Sequence, residues 1–319
     1  MVIIQSIQGI FSIIILISIG YFLAYKKWFT EETSKLISKL VTKIAIPAYM
    51  VQNLVTTFNK DMLIKLSSGL KIPFLSIMIC ILLSILVCKI LKVEKGRRGA
   101  FKVMFFTSNT IFIGLPVNLA LFGESSVPYV LLYYIANTVI FWTIGVYLIS
   151  KDSSVEEANI INFQSIKRIF SAPLIGFLLG IIFVLLEINL PTFIIDACKY
   201  LGNLTTPLSM LFIGSTIYSV DLKGIRLTKD IITIVIARLF ISPFVVVLLA
   251  HFSSEPILMK EVFIIQASLP IMTQTTIISK QYNSDYKYVA VLTTLTTILS
   301  LITIPVYMFI LEKIQFFIV

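Results

Sequence analysis

Apolar runs of about twenty residues follow one another along this chain of 319 residues, with only short polar connectors between them. A run of that length crosses a hydrocarbon core of about 30 Å as an α-helix. Inside lipid the backbone must satisfy its own hydrogen bonds, and a helix does so within a single segment. Composition agrees: 58% of the residues are hydrophobic and 13% charged, where a soluble domain has about 45–50% and about 25%. Spans are expected near 7–25, 33–55, 71–91, 100–122, 127–149, 167–186, 192–220, 229–251, 261–281 and 287–311. The expected class is therefore an all-α integral membrane protein of ten transmembrane helices. Met1 to Ser6 carries no Lys or Arg and no small-residue cleavage site follows, so the first run reads as a retained helix rather than a signal peptide.

A net charge of +10 does not point to nucleic acid here, because the basic residues fall in short loops and at helix ends, where they set topology. One set of alternate connectors holds Lys26, Lys27, Lys35, Lys89, Lys92, Lys95, Arg97, Arg98 and Lys102. It continues with Lys151, Lys167, Arg168, Lys223, Arg226, Lys229, Lys280 and Lys287, seventeen in all. The opposite set holds five: Lys60, Lys65, Lys71, Lys260 and Lys313. Positive charge stays cytoplasmic, so both termini are expected outside the cell membrane. Cys80, Cys88 and Cys198 lie in or near apolar segments without metal-ligand spacing, and His251 is the only histidine. Neither a His-based metal site nor a Ser–His pair can be built from that inventory. No catalytic residue, metal or cofactor is expected, and the chain does not read as an enzyme.

Self-similarity appears at an offset of about 160 residues. KIAIPAYM around Pro47 matches NLTTPLSM around Pro207, and Lys39 precedes its proline as Lys199 does. Span four is interrupted at Asn109 to Pro116 (NTIFIGLP) and span nine at Ser268 to Thr276 (SLPIMTQTT). SSVPYV, ending at Val130, answers SDYKYV, ending at Val289. Five helices per half is an odd number, so the second half enters the membrane from the other side, as an inverted repeat. The expected organisation is a first repeat over 1–150, a cytoplasmic linker over 151–165 and an inverted second repeat over 166–319.

Proline within a helix removes one hydrogen bond and obstructs another, and the freed groups are costly in lipid unless protein or a watery cavity satisfies them. Span four concentrates Asn109, Thr110, Gly114, Pro116 and Asn118; span nine has Ser268, Pro270, Thr273, Gln274, Thr275 and Thr276. Inverted repeats bring the two breaks together near the midplane, where half-helix N-termini offer free N–H groups and partial positive charge. Such a point suits an anion. Of sixteen acidic residues none lies at the centre of a span, which disfavours a plain cation exchanger, since those usually need a buried carboxylate.

Arg238 lies deep, about 13 Å along span eight from Lys229 at 1.5 Å per residue. It reads either as an anion contact or gate partner, or as a side chain snorkelling to the surface. Asn137, within YYIANTVIF, reads either as a helix-packing lock or as a cavity residue. Tyr49, Gln52 and Asn53 follow Pro47 and are further cavity candidates.

The order of these features resembles the auxin efflux carrier family of membrane transport proteins, including its bacterial malate- or malonate-permease-like members. The resemblance is carried by Asn109, Gly114 and Pro116 (Asn-x-x-x-x-Gly-x-Pro), Leu121-Phe122-Gly123, Pro207-Leu208-Ser209 with Gly214, and Ala267-Ser268-Leu269-Pro270. It implies ten helices, crossed spans four and nine (the plan of bile-acid symporters and sodium–proton antiporters), elevator-like alternating access and a small carboxylate substrate beside the crossover. In the plant carriers polar side chains of spans two, four and five reach the carboxylate; the matching positions are near Tyr49 and Met50, at Asn109 and at Asn137. The plant carriers have a long loop between halves, whereas here Lys151 to Ser165 is short, so auxin itself is not implied. The expected partners are a small organic anion, membrane lipid and, as a homodimer, a second copy of the chain. Two other functions fit less fully: a sodium-coupled symporter of bile-acid type, and a ligand sensor that does not translocate.

Overall fold

A computed structural model describes residues 2–152, 172–219 and 228–318. Most of the expected linker, from residue 153 onward, and Lys167, Arg168, Lys223 and Arg226 lie outside the described residues. Regular structure among the described residues is helical, apart from one isolated bridge between Ser108 and Ile271. The first half forms α1 (Val2–Tyr25), α2 (Glu31–Leu40), α3 (Ile46–Thr57), α4 (Lys71–Ile90), α5 (Arg98–Phe106), α6 (Gly114–Phe122), α7 (Val127–Ile140) and α8 (Val146–Ser150). The second half forms α9 (Ala172–Leu185), α10 (Thr192–Gly202), α11 (Thr205–Ser219), α12 (Lys229–Ile236) and α13 (Ser242–His251). It ends with α14 (Ile257–Ser268), α15 (Gln274–Gln281) and α16 (Tyr286–Ile318).

Among the described residues, four continuous helical stretches are long and apolar enough to cross a membrane: Lys60–Ile90, Glu124–Ser150, Lys229–His251 and Tyr286–Leu311. Phe11–Tyr25 and Ala172–Leu185 are shorter apolar helices. The expected fourth and ninth spans are each split, between α5 and α6 and between α14 and α15, as their polar, proline-bearing centres require. Three π-turns, Val41–Ala45, Phe141–Gly145 and Ala237–Ile241, link α2 to α3, α7 to α8 and α12 to α13. Pro47 and Pro243 stand in the first turn after such a π-turn, where the wider spacing already leaves a donor unused and proline's missing N–H does little harm.

The chain divides into two compact units that each draw on both halves of the sequence. One comprises Met1–Ser68, Ile111–Leu131 and Phe170–Ser219. Its principal contact is α1 on α11, and there the backbones approach closely enough to require glycine. A Cβ at Gly20 would stand 2.2 Å from the carbonyl oxygen of Leu211, and one at Gly214 would stand 2.0 Å from that of Ile17. Gly214 of the Pro-Leu-Ser…Gly motif is thus a packing residue. The Ser34 and Ser215 hydroxyls meet at 3.1 Å, and the rings of Tyr21 and Tyr218 pack edge-on beside this seam.

The other unit comprises Gly69–Thr110, Leu132–Ile169 and Val220–Val319. Four of its loops are tied together at one end. The Asp152 carboxylate accepts from the backbone N–H groups of Gly99 at 2.6 Å and Ala100 at 2.8 Å, and from the Ser284 hydroxyl at 2.9 Å. It thereby caps the start of α5 from another loop, filling donors that a helix N-terminus leaves open. Beside it Arg97 pairs with Glu94 at 3.2 Å and Asp230 at 3.3 Å, and stacks over the Tyr288 ring. These loops belong to the connectors that carry most of the basic residues.

Gly214→Leu is expected to destabilise the fold by about 1–3 kcal/mol or more, through overpacking against α1; thermal unfolding in detergent measures it. Asp152→Ala, which strips an acceptor from two N–H groups, is expected to cost about 1–3 kcal/mol in the same assay.

Candidate functional site

Both interruptions lie in the second unit up to Thr110, and their main chains run side by side. α5 ends at Phe106, and Thr107 turns to extended backbone; α14 ends at Ser268, and Leu269 does the same. The two stretches then pair in antiparallel fashion. Asn109 N–H donates to the Pro270 carbonyl at 2.9 Å, and Ser108 bridges Ile271. Pro270 has no N–H to offer, so its contribution to this pairing is its carbonyl alone.

Neighbouring helices satisfy what remains. The Asn137 carboxamide lies along the Ser108 backbone as a further strand would: Oδ1 accepts from Ser108 N–H at 3.1 Å and Nδ2 donates to Ser108 C=O at 2.9 Å. Nδ2 also points to the Met272 sulfur at 3.7 Å. Ile271 N–H donates to the Thr296 hydroxyl at 3.3 Å, and Gln266 Nε2 donates to the Thr110 carbonyl at 3.3 Å. Asn137, Gln266 and Thr296 are all fully buried. In water such bonds contribute modestly, but an unpaired backbone group in a dry interior is expensive.

Arg238 completes the arrangement. It occupies the π-turn between α12 and α13 and is 1% exposed. Its guanidinium donates to the carbonyls of Phe105 at 3.1 Å, Ala267 at 2.7 Å and Leu269 at 3.1 Å, and to the Ser242 hydroxyl at 3.0 Å. Phe105 is in the last turn of α5, and Ala267 and Leu269 close α14. One cation thus sits at the C-terminal ends of both half-helices, where the carbonyls lack intrahelical partners and the dipole is negative. Its Nε has no partner. Of the two readings open in the sequence, snorkelling to a surface does not describe a side chain so deeply buried.

Asn109 is placed differently from these supports. The residue is 4% exposed, yet among the described residues its carboxamide makes no hydrogen bond. Thr110 is buried beside it. The Thr275 hydroxyl, the Ser108 hydroxyl and Gln266 Oε1 are buried oxygens without partners. Thr273 stands at the N-terminal boundary of α15 without a side-chain cap, and the N–H groups of Thr275 and Thr276 bond the Met272 and Thr273 carbonyls. Gln274 begins that helix and is half-buried.

The remaining candidates, Tyr49, Met50, Gly114 and Pro116, belong to the first unit. Gly114 and Pro116 start α6, Pro116 in the first turn, where its missing N–H leaves no intrahelical bond broken. Met50 is fully buried in the α3 core. Tyr49 donates its hydroxyl to the Glu124 carboxylate, and Asn53 Nδ2 donates to the same oxygen at 2.7 Å.

The sequence reading did not single out Gln266, Thr296 or Glu124. Two of them had left signs. Gln266 interrupts the apolar run FII–ASLP, and Thr293, Thr296, Thr297 and Ser300 fall at the three- and four-residue spacing of one helix face. Glu124 left none, because an acidic residue beside a glycine at a helix end is ordinary.

Comparison with known proteins covers nearly the whole chain. It is 25% identical over 306 residues to an uncharacterized transporter of Methanocaldococcus jannaschii, spanning 94% of this chain and 96% of that one. It is 27% identical over 316 residues to an uncharacterized transporter of Methanothermobacter thermautotrophicus, spanning 96% and 99%. The family model described as membrane transport protein matches residues 5–308. The chain therefore belongs to the membrane transport protein family, the auxin efflux carrier family that its Asn-x-x-x-x-Gly-x-Pro motif resembles.

Proposed function

We propose that this protein is a secondary transporter that moves a small organic anion, a malate- or auxin-like carboxylate, across the cell membrane. The observation that supports this most is the Asn109 carboxamide, buried at the paired interruptions and uncommitted to the protein. A carboxamide that the protein leaves uncommitted can bond a ligand, and its two N–H donors match a carboxylate oxygen. Asn137, Gln266 and Thr296 hold the backbone that carries it, and Arg238 supplies positive charge to the same unit. Thr110, Thr273, Gln274 and Thr275 are the further polar contacts in this reading.

In this reading the interruptions are the crossover of spans four and nine in a ten-helix chain of inverted repeats, 1–150 and 166–319. Both termini face outward, and the basic loops face the cytoplasm. Transport is of the elevator type, the break-bearing unit carrying the cargo as a body. The stapling of its loops through Asp152 and Arg97 suits such a motion. Sodium coupling is a second reading, favoured by the unpartnered buried oxygens of Ser108, Gln266 and Thr275, since hard cations take oxygen ligands.

Uptake of radiolabelled malate, malonate and indole-3-acetate into proteoliposomes, with and without sodium and proton gradients, tests both readings. Saturable flux of a carboxylate is expected; flux that collapses when potassium replaces sodium selects the coupled form. Binding without flux would instead identify a sensor. Asn109→Ala is expected to weaken substrate affinity by about 1–3 kcal/mol, roughly 5–150-fold, with thermal stability near that of the wild type. Asn137→Ala is expected to do the reverse first, lowering the unfolding temperature because Ser108 loses partners for both backbone groups. Unchanged uptake kinetics in Asn109→Ala would remove that residue from the site.

A further inference from the structure

Arg238 carries a charge that nothing described in its surroundings cancels. Arginine stays protonated at any working pH. Its four hydrogen-bond partners are three backbone carbonyls and a serine hydroxyl, all formally neutral. Among the described residues no carboxylate is shown within ion-pairing distance of it; the ion pairs shown are those of Lys35 and Arg97. The acid nearest along α14 is Glu261, about two turns before Ala267. Helix-end carbonyls solvate the guanidinium, but a dipole has no net charge; of the unit's other described buried charged residues Lys260 and Glu261 carry opposite signs and Asp230 faces Arg97, so the positive charge of Arg238 is the one left over.

Isolated charge within a membrane is strongly disfavoured. A monovalent anion held in the same unit would cancel it, and the unit would then cross lipid as a neutral body. Because Arg238 is bonded to both half-helices that bear the interruptions, its charge has to travel wherever they travel.

We propose that Arg238 is a fixed counter-charge, neutralised by the bound anion rather than by the protein, so that the loaded carrier crosses without net charge and the empty carrier crosses with one positive charge. This rests on the anion-carrier reading. It makes Arg238 a residue that sets which cargo charge crosses most easily, through its field and without contact with the cargo. A monoanion balances the unit, and a dianion leaves it with one negative charge.

The test is counterflow exchange in proteoliposomes of the wild-type chain, with the membrane potential clamped by potassium and valinomycin. Radiolabelled indole-3-acetate serves as the monoanion and malonate as the dianion. In exchange only the loaded carrier crosses, so each rate reports the charge of one loaded form. For indole-3-acetate the saturated exchange rate is expected to be independent of potential. For malonate it is expected to change by roughly sevenfold per 100 mV, from about half the field acting on one charge at the barrier. Arg238→Gln should confer that same potential dependence on indole-3-acetate exchange, whereas Arg238→Lys should keep it absent. Potential-dependent monoanion exchange in the wild type would overturn the counter-charge while leaving the carrier reading intact. Failure of the wild type to exchange either anion would overturn both.

Discussion

The constraint on which everything else depends is that a peptide group withdrawn from water must find a partner in the protein. Continuous helices meet it without help. Two segments of this chain do not, because Pro270 and the polar stretch from Thr107 to Ile113 interrupt their helices. The structure meets the deficit locally: the interruptions pair with one another, Asn137 and Thr296 supply side-chain partners, and Arg238 takes the carbonyls at both helix ends. Each group has a different reason to be polar in an apolar setting.

This supporting layer frees the residue expected to read substrate. If Asn109 had to hold its own backbone in place, its carboxamide would be committed. Asn137 does that work from α7, and the Asn109 side chain is left over. The two asparagines look alike in sequence, each polar in an apolar run, yet one is structural scaffolding for the other. Similarly, the two prolines at the breaks act differently: Pro116 starts a helix, whereas Pro270 donates nothing and accepts through its carbonyl.

Charge is handled in two distinct ways. At the end of the break-bearing unit, Arg97 meets Glu94 and Asp230, and Asp152 meets helix N–H groups, so opposite signs are matched there. Deep in the same unit, Arg238 is matched among the described residues by dipoles alone. Dipoles solvate an ion without neutralising it, and that difference turns a structural clamp into a candidate determinant of cargo charge.

The all-helical class and the places where two helices break were legible in sequence because they follow from composition and periodicity. Twenty-residue apolar runs dictate helices, and prolines with clustered Ser, Thr and Asn mark where helices must stop. The family is readable from Asn109, Gly114, Pro116 and Ala267-Ser268-Leu269-Pro270. Only tertiary structure could decide partners, since hydrogen bonds between residues far apart in the chain leave no local trace. That is why Arg238 had two readings in sequence and has one set of bonds in the fold, and why Glu124 became visible only as the acceptor of Tyr49 and Asn53. It is also why Gly214, a motif residue, proved to be a point of contact between backbones. Local chemistry fixes which groups need satisfying; three-dimensional packing alone determines which groups satisfy them, and therefore which are left for a ligand.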